Sequence, residues 1–130
     1  MKTIKLSCAH ALFKYLIAQK TMIDGKKAPL FPGAFAIYGH GNVACLGQAM
    51  EEFQSDLPGY RGHHEQSMAL TGIGYARAMR RKQIFIATSS VGPGATNMVT
   101  AAGVAMSNRL PILLLPCLLY TSDAADDVNG

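Results

Sequence analysis

The stretch Gly59-Tyr60-Arg61-Gly62-His63-His64-Glu65-Gln66 sets an acid at the entrance of a run with helical spacing. Counted from Glu65, Met68, Ala69, Gly72, Ala76 and Met79 recur on one side, and Arg77, Arg80, Arg81 and Lys82 gather at the far end. The periodicity predicts a helix over residues 67–82 with Glu65 along its buried stripe. A carboxyl held there is desolvated, which raises its pKa and lets it hold or share a proton. The expectation is a working acid. The plainer alternative is an acid that complements the positive end of the helix, as the basic cluster complements the other.

Two glycine-rich turns could hold a ligand. Gly39-His40-Gly41-Asn42-Val43-Ala44 satisfies G-x-G-x-x-[GA] between a predicted strand and a predicted helix, the form of a dinucleotide fingerprint. That fingerprint wants an acid about 20 residues further on, where this chain has Gly59-Tyr60-Arg61. A tight strand-to-helix turn is the competing reading. Gly92-Pro93-Gly94-Ala95-Thr96-Asn97 puts glycines ahead of a helix but lacks the Lys-Ser/Thr pair of a P-loop, which argues against nucleoside triphosphates. His10, His40, His63 and His64 show no metal-ligand spacing. His10 is expected on the solvated side of its helix, His40, His63 and His64 are kept as possible ligand contacts, and Tyr60 and Met68 are expected in the core.

These residues need a scaffold, and composition allows one. A chain of 130 residues with 49% hydrophobic and 15% charged residues suits a single folded domain. The net charge of +4 is scattered rather than striped with aromatics, which argues against nucleic acid. Cys8, Cys45 and Cys117 form no CxxC pair, so neither a disulfide framework nor a metal site is expected. A reducing, cytoplasmic setting follows. No run approaches the roughly 20 apolar residues of a membrane span.

In chain order, a helix is predicted over residues 7–19, a polar connection over 22–33, a strand over 34–38, a helix over 43–54 and a very short strand over 60–62. After the Glu65 helix come a strand over 83–88, a helix over 95–107 apolar almost all round and so expected to be sandwiched, and a strand over 111–115. The alternation predicts an α/β fold: a parallel sheet with helices on both faces, binding ligands beyond the C-terminal strand edges. The Gly39–Asn42, Gly62–Glu65 and Ser89–Gly94 loops fall there.

Tyr38-Gly39-His40-Gly41-Asn42, His64-Glu65-Gln66 with Gly74-Tyr75-Ala76-Arg77, Thr88-Ser89-Ser90-Val91-Gly92-Pro93-Gly94-Ala95-Thr96-Asn97 and Arg109-Leu110-Pro111-Ile112-Leu113-Leu114-Leu115-Pro116 together resemble, in order and spacing, the flavodoxin-like pyrimidine-binding domain of thiamine-diphosphate-dependent enzymes. The Gly-His-Gly-Asn loop and the N-terminal stretch resemble most closely the branch that hydrolyses a ring carbon–carbon bond of a cyclic dione in inositol breakdown. The resemblance implies that Glu65 hydrogen-bonds the aminopyrimidine ring nitrogen and so helps to remove the thiazolium C2 proton. It implies that Gly39, His40, Gly41, Asn42, Ser90, Gly92, Pro93, Gly94 and Asn97 line the cofactor side of the cleft. It also implies a homodimer or higher homo-oligomer, with magnesium and the diphosphate held by a Gly-Asp-Gly…Asn-Asn motif in another domain, a motif this chain does not contain.

Residues 1–116 are therefore expected to form an N-terminal domain with half a site, inactive alone. Residues 117–130 depart from the family and are expected to be a non-native tail. An acetohydroxyacid-synthase-like carboligase or decarboxylase, and a non-catalytic nucleotide-binding or assembly module, are the rival readings.

Overall fold

A computed structural model describes residues 3–117. Apart from Cys117, the expected tail lies outside them. Four short parallel strands form the sheet: β3 (Ala34–Ala36), β4 (Gly59–Arg61), β5 (Ile86–Thr88) and β6 (Leu113–Leu115), in the spatial order β4-β3-β5-β6. Ala34 pairs with Gly59 on one side and with Ile86 on the other, and Ile86 pairs in turn with Leu113.

Alternation along the strands sends side chains to two cores. On one face Ala34, Ala36 and Ile86 meet Ala9, Phe13 and Leu16 of α1 (Cys8–Ala18) and Ala49 and Met50 of α3 (Gln48–Glu52). On the other, Ala87 packs with Ala69 and Ile73 of α4 (Glu65–Ala78) and with Met98, Ala101 and Ala105 of α6 (Met98–Asn108). Helices thus cover both faces, as expected.

The N-terminal helix starts where Ser7 caps it, its hydroxyl accepting the His10 N–H at 3.2 Å. His10 is not solvated as expected. Its ring bridges Ser7 Oγ at 2.6 Å and Glu52 Oε2 at 2.8 Å, tying α1 to α3. The segment expected to be a mere connection holds a hairpin, with β1 (Lys20–Ile23) antiparallel to β2 (Lys26–Pro29). Its turn residues Asp24 (φ 48°) and Gly25 (φ 77°) are both left-handed, the backbone that matches the twist of a two-residue hairpin. Gln83 anchors it, donating to Pro29 O at 2.8 Å and accepting from the Tyr75 hydroxyl at 2.7 Å.

The helix expected over residues 43–54 begins earlier and is not uniform. A helical turn, α2 (His40–Asn42), runs into a π-helical turn (Val43–Gly47) and then α3. The chain beyond α4 also differs: the helix stops at Ala78, and Arg80 and Arg81 take left-handed backbone, so the basic cluster lies mostly past its last turn. Nor is the helix over residues 95–107 sandwiched. It divides into α5 (Pro93–Thr96) and α6, and among the described residues nothing covers Val99 or Met106, which are 64% and 83% exposed. Its small side chains fit against α4 on one side only.

Candidate functional site

Glu65 is the first residue of α4, and His64 is its N-cap. His64 has extended backbone, and its Nδ1 accepts the Ser67 N–H at 3.3 Å, an uncommon cap that turns the ring toward the helix start. The helix therefore begins with Glu65 aimed inward, and the residue is 7% exposed. Of the stripe below it, Met68, Ala69, Gly72 and Ala76 are buried as their spacing predicts and Ile73 joins them, whereas Met79 is only half-buried and caps the end of the helix. Tyr60 does not join the core; it is 48% exposed and lies against Phe35 and Phe85.

The loop after β5 supplies what surrounds the carboxylate. Ser90 Oγ donates to Glu65 Oε1 at 3.0 Å. Gly92 takes φ 56°, a left-handed conformation that lets the loop double back, and Pro93 opens α5. The turn brings Gly94 against the acid: a Cβ on Gly94 would lie 2.5 Å from Glu65 Oε1 and collide with Ser90 Oγ. Asn97, at the junction of α5 and α6, adds to the donors that favour the ionised carboxylate.

The loop after β3 closes on the same place. A Cβ on Gly39 would stand 3.0 Å from both Cα and Cβ of Ser90. Asn42, buried, donates from Nδ2 to Ser89 O at 2.9 Å, and Ser89 Oγ accepts the Cys117 N–H at 3.2 Å. A Cβ on Gly41 would meet Cys117 Sγ at 2.9 Å. Of the residues singled out in the sequence, Glu65, Ser90, Gly94, Asn97 and Gly39 converge directly. Gly41 and Asn42 brace that cluster from behind, Gly92 and Pro93 shape the turn, and His40 starts α2 in the same loop. His63 instead lines a cleft of about 440 Å³ with Ile37, Tyr38, Arg61 and Gly62 beyond the ends of β3 and β4.

The protonation expected of Glu65 is corrected. Burial pushes its pKa up, but hydrogen bonds from its own N–H, the Ser90 hydroxyl, the Asn97 side chain and the Ser90 N–H outweigh burial and hold it below the ordinary glutamate range. Donors to the charged form beat desolvation because the helix start and the serine loop both point N–H and O–H groups at it. At neutral pH Glu65 is a carboxylate, an acceptor that favours protonation of a base placed against it.

Sequence reasoning missed a cleft of about 630 Å³, lined by Tyr38, Val43, Ala44, Gly47, Met50 and Gly59 among others. It lies beside the π-helical turn and not at Glu65. Tyr38 donates there to Met50 Sδ at 3.4 Å, and burial raises its hydroxyl pKa. No residue pattern signals it, because a π-turn leaves no fixed spacing in the sequence.

A buried carboxylate between two glycine turns lies at the C-terminal edge of a parallel sheet, the edge at which such sheets bind their ligands. Gly39 and Gly94 let the two turns close on it, since a Cβ at either position would press on Ser90 or Glu65. The model of the family described as "Thiamine pyrophosphate enzyme, N-terminal TPP binding domain" matches residues 33–124, and the chain belongs to that family. More particularly, it is similar to proteins named 3D-(3,5/4)-trihydroxycyclohexane-1,2-dione hydrolase: 48% identical to that of Clostridium tetani and 49% identical to that of Geobacillus thermodenitrificans, each over 128 residues. A third, from Listeria innocua, is 45% identical over 127 residues. Each match covers 98% of this chain and 20% of the relative, so the chain spans about a fifth of the length of these curated relatives.

Proposed function

We propose that this chain forms the pyrimidine-holding side of a thiamine diphosphate site in a cytoplasmic hydrolase that opens the ring of 3D-(3,5/4)-trihydroxycyclohexane-1,2-dione during inositol breakdown. The observation that carries the reading is Glu65: buried at the sheet edge, held ionised by donors, and enclosed by glycine turns that pack closely on it and on Ser90. Thiamine diphosphate, when bound, supplies an electron sink for cleaving a carbon–carbon bond beside a carbonyl.

The chain's own part is orientation and proton handling. Glu65 receives the ring nitrogen of the pyrimidine and stabilises a proton there, because an ionised carboxylate in a partly desolvated site favours the charged form of a neighbouring base. Gly39 and Gly94 let the two loops close on Ser90 and the acid, which fixes where the carboxylate stands. Asn42 keeps the first loop pinned to the second through Ser89. Among the described residues no group of three or more His, Cys, Asp or Glu side chains could hold a metal. The family resemblance, and not that absence, is the ground for assigning the magnesium and diphosphate ligands to another domain and the complete site to an assembly of at least two subunits. The exposed face of α6, with Val99 and Met106, is consistent with such an assembly.

The test is a chimera joining residues 1–116 to the remaining domains of a relative. Turnover of the dione, with none from the 130-residue chain alone, is the expected result. Turnover of pyruvate in place of the dione would transfer the chain to the carboligases, and tight NAD binding without thiamine diphosphate would remove it from catalysis.

A further inference from the structure

We propose that Ser90 is a positioning residue for Glu65, its hydroxyl engaging Oε1 within the protein so that an incoming heterocycle meets the carboxylate in a single orientation. The inference rests on the cofactor reading above for its purpose but not for its geometry. Ser90 Oγ lies 3.0 Å from Oε1 and donates to it. The donor comes from a loop separate from the helix that carries the acid.

Ser90 itself has little freedom. Gly39 approaches so closely that a Cβ there would stand 3.0 Å from the serine Cα and Cβ, and a Cβ on Gly94 would overlap its hydroxyl. Two glycines on two different loops therefore set where that hydroxyl can be. The buried Ser89 beside it is locked by Asn42 on its carbonyl and by the Cys117 N–H on its side chain. The result is a relay of position from the loops after β3 and β5 to the first residue of α4, with Ser90 as its last member. A serine whose task was to touch the ligand would not need its oxygen turned onto the acid.

Few titratable residues lie on the segments around Glu65: Tyr60, Arg61, His63 and His64 precede it, His40 belongs to the Gly39–Asn42 loop, and Cys117 follows β6. The facing stretch from Ile86 to Asn108, which includes β5, α5 and α6, contains no titratable side chain at all. The elements that face Glu65 from β5 to α6 therefore bring no second acid against it.

The test follows that titration by carbon NMR of the 130-residue chain labelled in its glutamate carboxyls. In Ser90→Ala the Glu65 midpoint shifts up, in Ser90→Cys, a weaker donor of similar bulk, it shifts up by less, and in Ser67→Ala, on the same helix, it stays in place. A midpoint unmoved in both Ser90 variants while both remain folded overturns the proposal. Thiamine diphosphate and magnesium are then added to the likewise labelled chimera of residues 1–116 with the remaining domains of a relative. If the Glu65 signal ignores them while the midpoint still depends on Ser90, the cofactor reading fails and the positioning role stands.

Discussion

Gly94 faces Glu65 across a gap that only a hydrogen atom can share, since a Cβ at that position would come within 2.5 Å of Oε1. Contacts that close force something to move, and here both neighbours are held: the acid by its helix start and Ser90 by Gly39. Gly94→Ala should therefore cost roughly 1–3 kcal/mol of stability, in the range of overpacked interiors. It should also break the Ser90–Glu65 hydrogen bond. A thermal melt equal to that of the unsubstituted chain would show that the loop yields and that the cradle is soft.

Glu65 should also leave a mark on acid stability. Its folded pKa lies below the unfolded value, so the folded state binds this proton less readily than the unfolded chain does. The resulting stabilisation is fully present above the unfolded glutamate pKa, about 4.3, and is lost as pH falls through the lower folded value. Glu65→Gln should flatten that part of the acid-unfolding curve while leaving the neutral-to-alkaline part unchanged in shape. An identical acid limb in both proteins would mean that the carboxylate is not held as described.

In the chimeric enzyme the same substitution should slow exchange of the thiamine C2 proton by about 10²–10⁴-fold, the usual scale for losing a proton-handling group. Glutamine keeps the size of glutamate but cannot carry the charge that favours a proton on the ring. Exchange at the unsubstituted rate would take Glu65 out of the chemistry.

Two glycines on α4 should behave in opposite ways. A Cβ on Gly72 would meet Ile112 Cδ1 at 3.0 Å and Phe85 Cβ at 3.2 Å, whereas one on Gly74 would meet nothing within 4 Å. Alanine at position 74 should then stabilise the chain by about 1 kcal/mol through helix propensity alone, and alanine at position 72 should lose that gain to crowding. Denaturant midpoints of the two variants decide it: equal shifts in the same direction would contradict the packing.

Arg109 closes α6 with left-handed backbone, φ 52° and ψ 42°, where glycine is the usual occupant. Arg109→Gly should relieve about 1 kcal/mol of strain without losing the contact from Arg81, because Arg81 Nε donates to the Arg109 carbonyl at 2.8 Å and not to its side chain. A lowered melting temperature would show that the guanidinium contributes more than its backbone costs.

What could be read from residues alone was the layered α/β plan, the buried stripe beneath Glu65 and the gathering of glycine turns at one sheet edge. Each depends on short-range periodicity or on backbone freedom. The hairpin over residues 20–29 escaped because its strands are four residues each and mostly exposed, so no apolar alternation marks them; only Asp24-Gly25 did. The charge state of Glu65 escaped for a different reason. Burial follows from helical spacing, but the donors that outweigh it sit on residues 90 and 97, distant in sequence. The exposed side of α6 was mistaken for a covered one because apolar composition cannot say which neighbour is present.

The π-helical turn at Val43–Gly47 does more than widen a coil. An α-helix advances about 100° per residue, so a single surplus residue in one turn swings everything after it by that much. Upstream, Asn42 must look toward Ser89; downstream, Ala49 and Met50 must look into the layer beneath β3. A straight helix of the same composition could satisfy one of these demands but not both. Deleting a residue between 43 and 47 would leave every side chain its own chemistry and yet aim half of them the wrong way, so insertions and deletions here are the changes the chain can least accept.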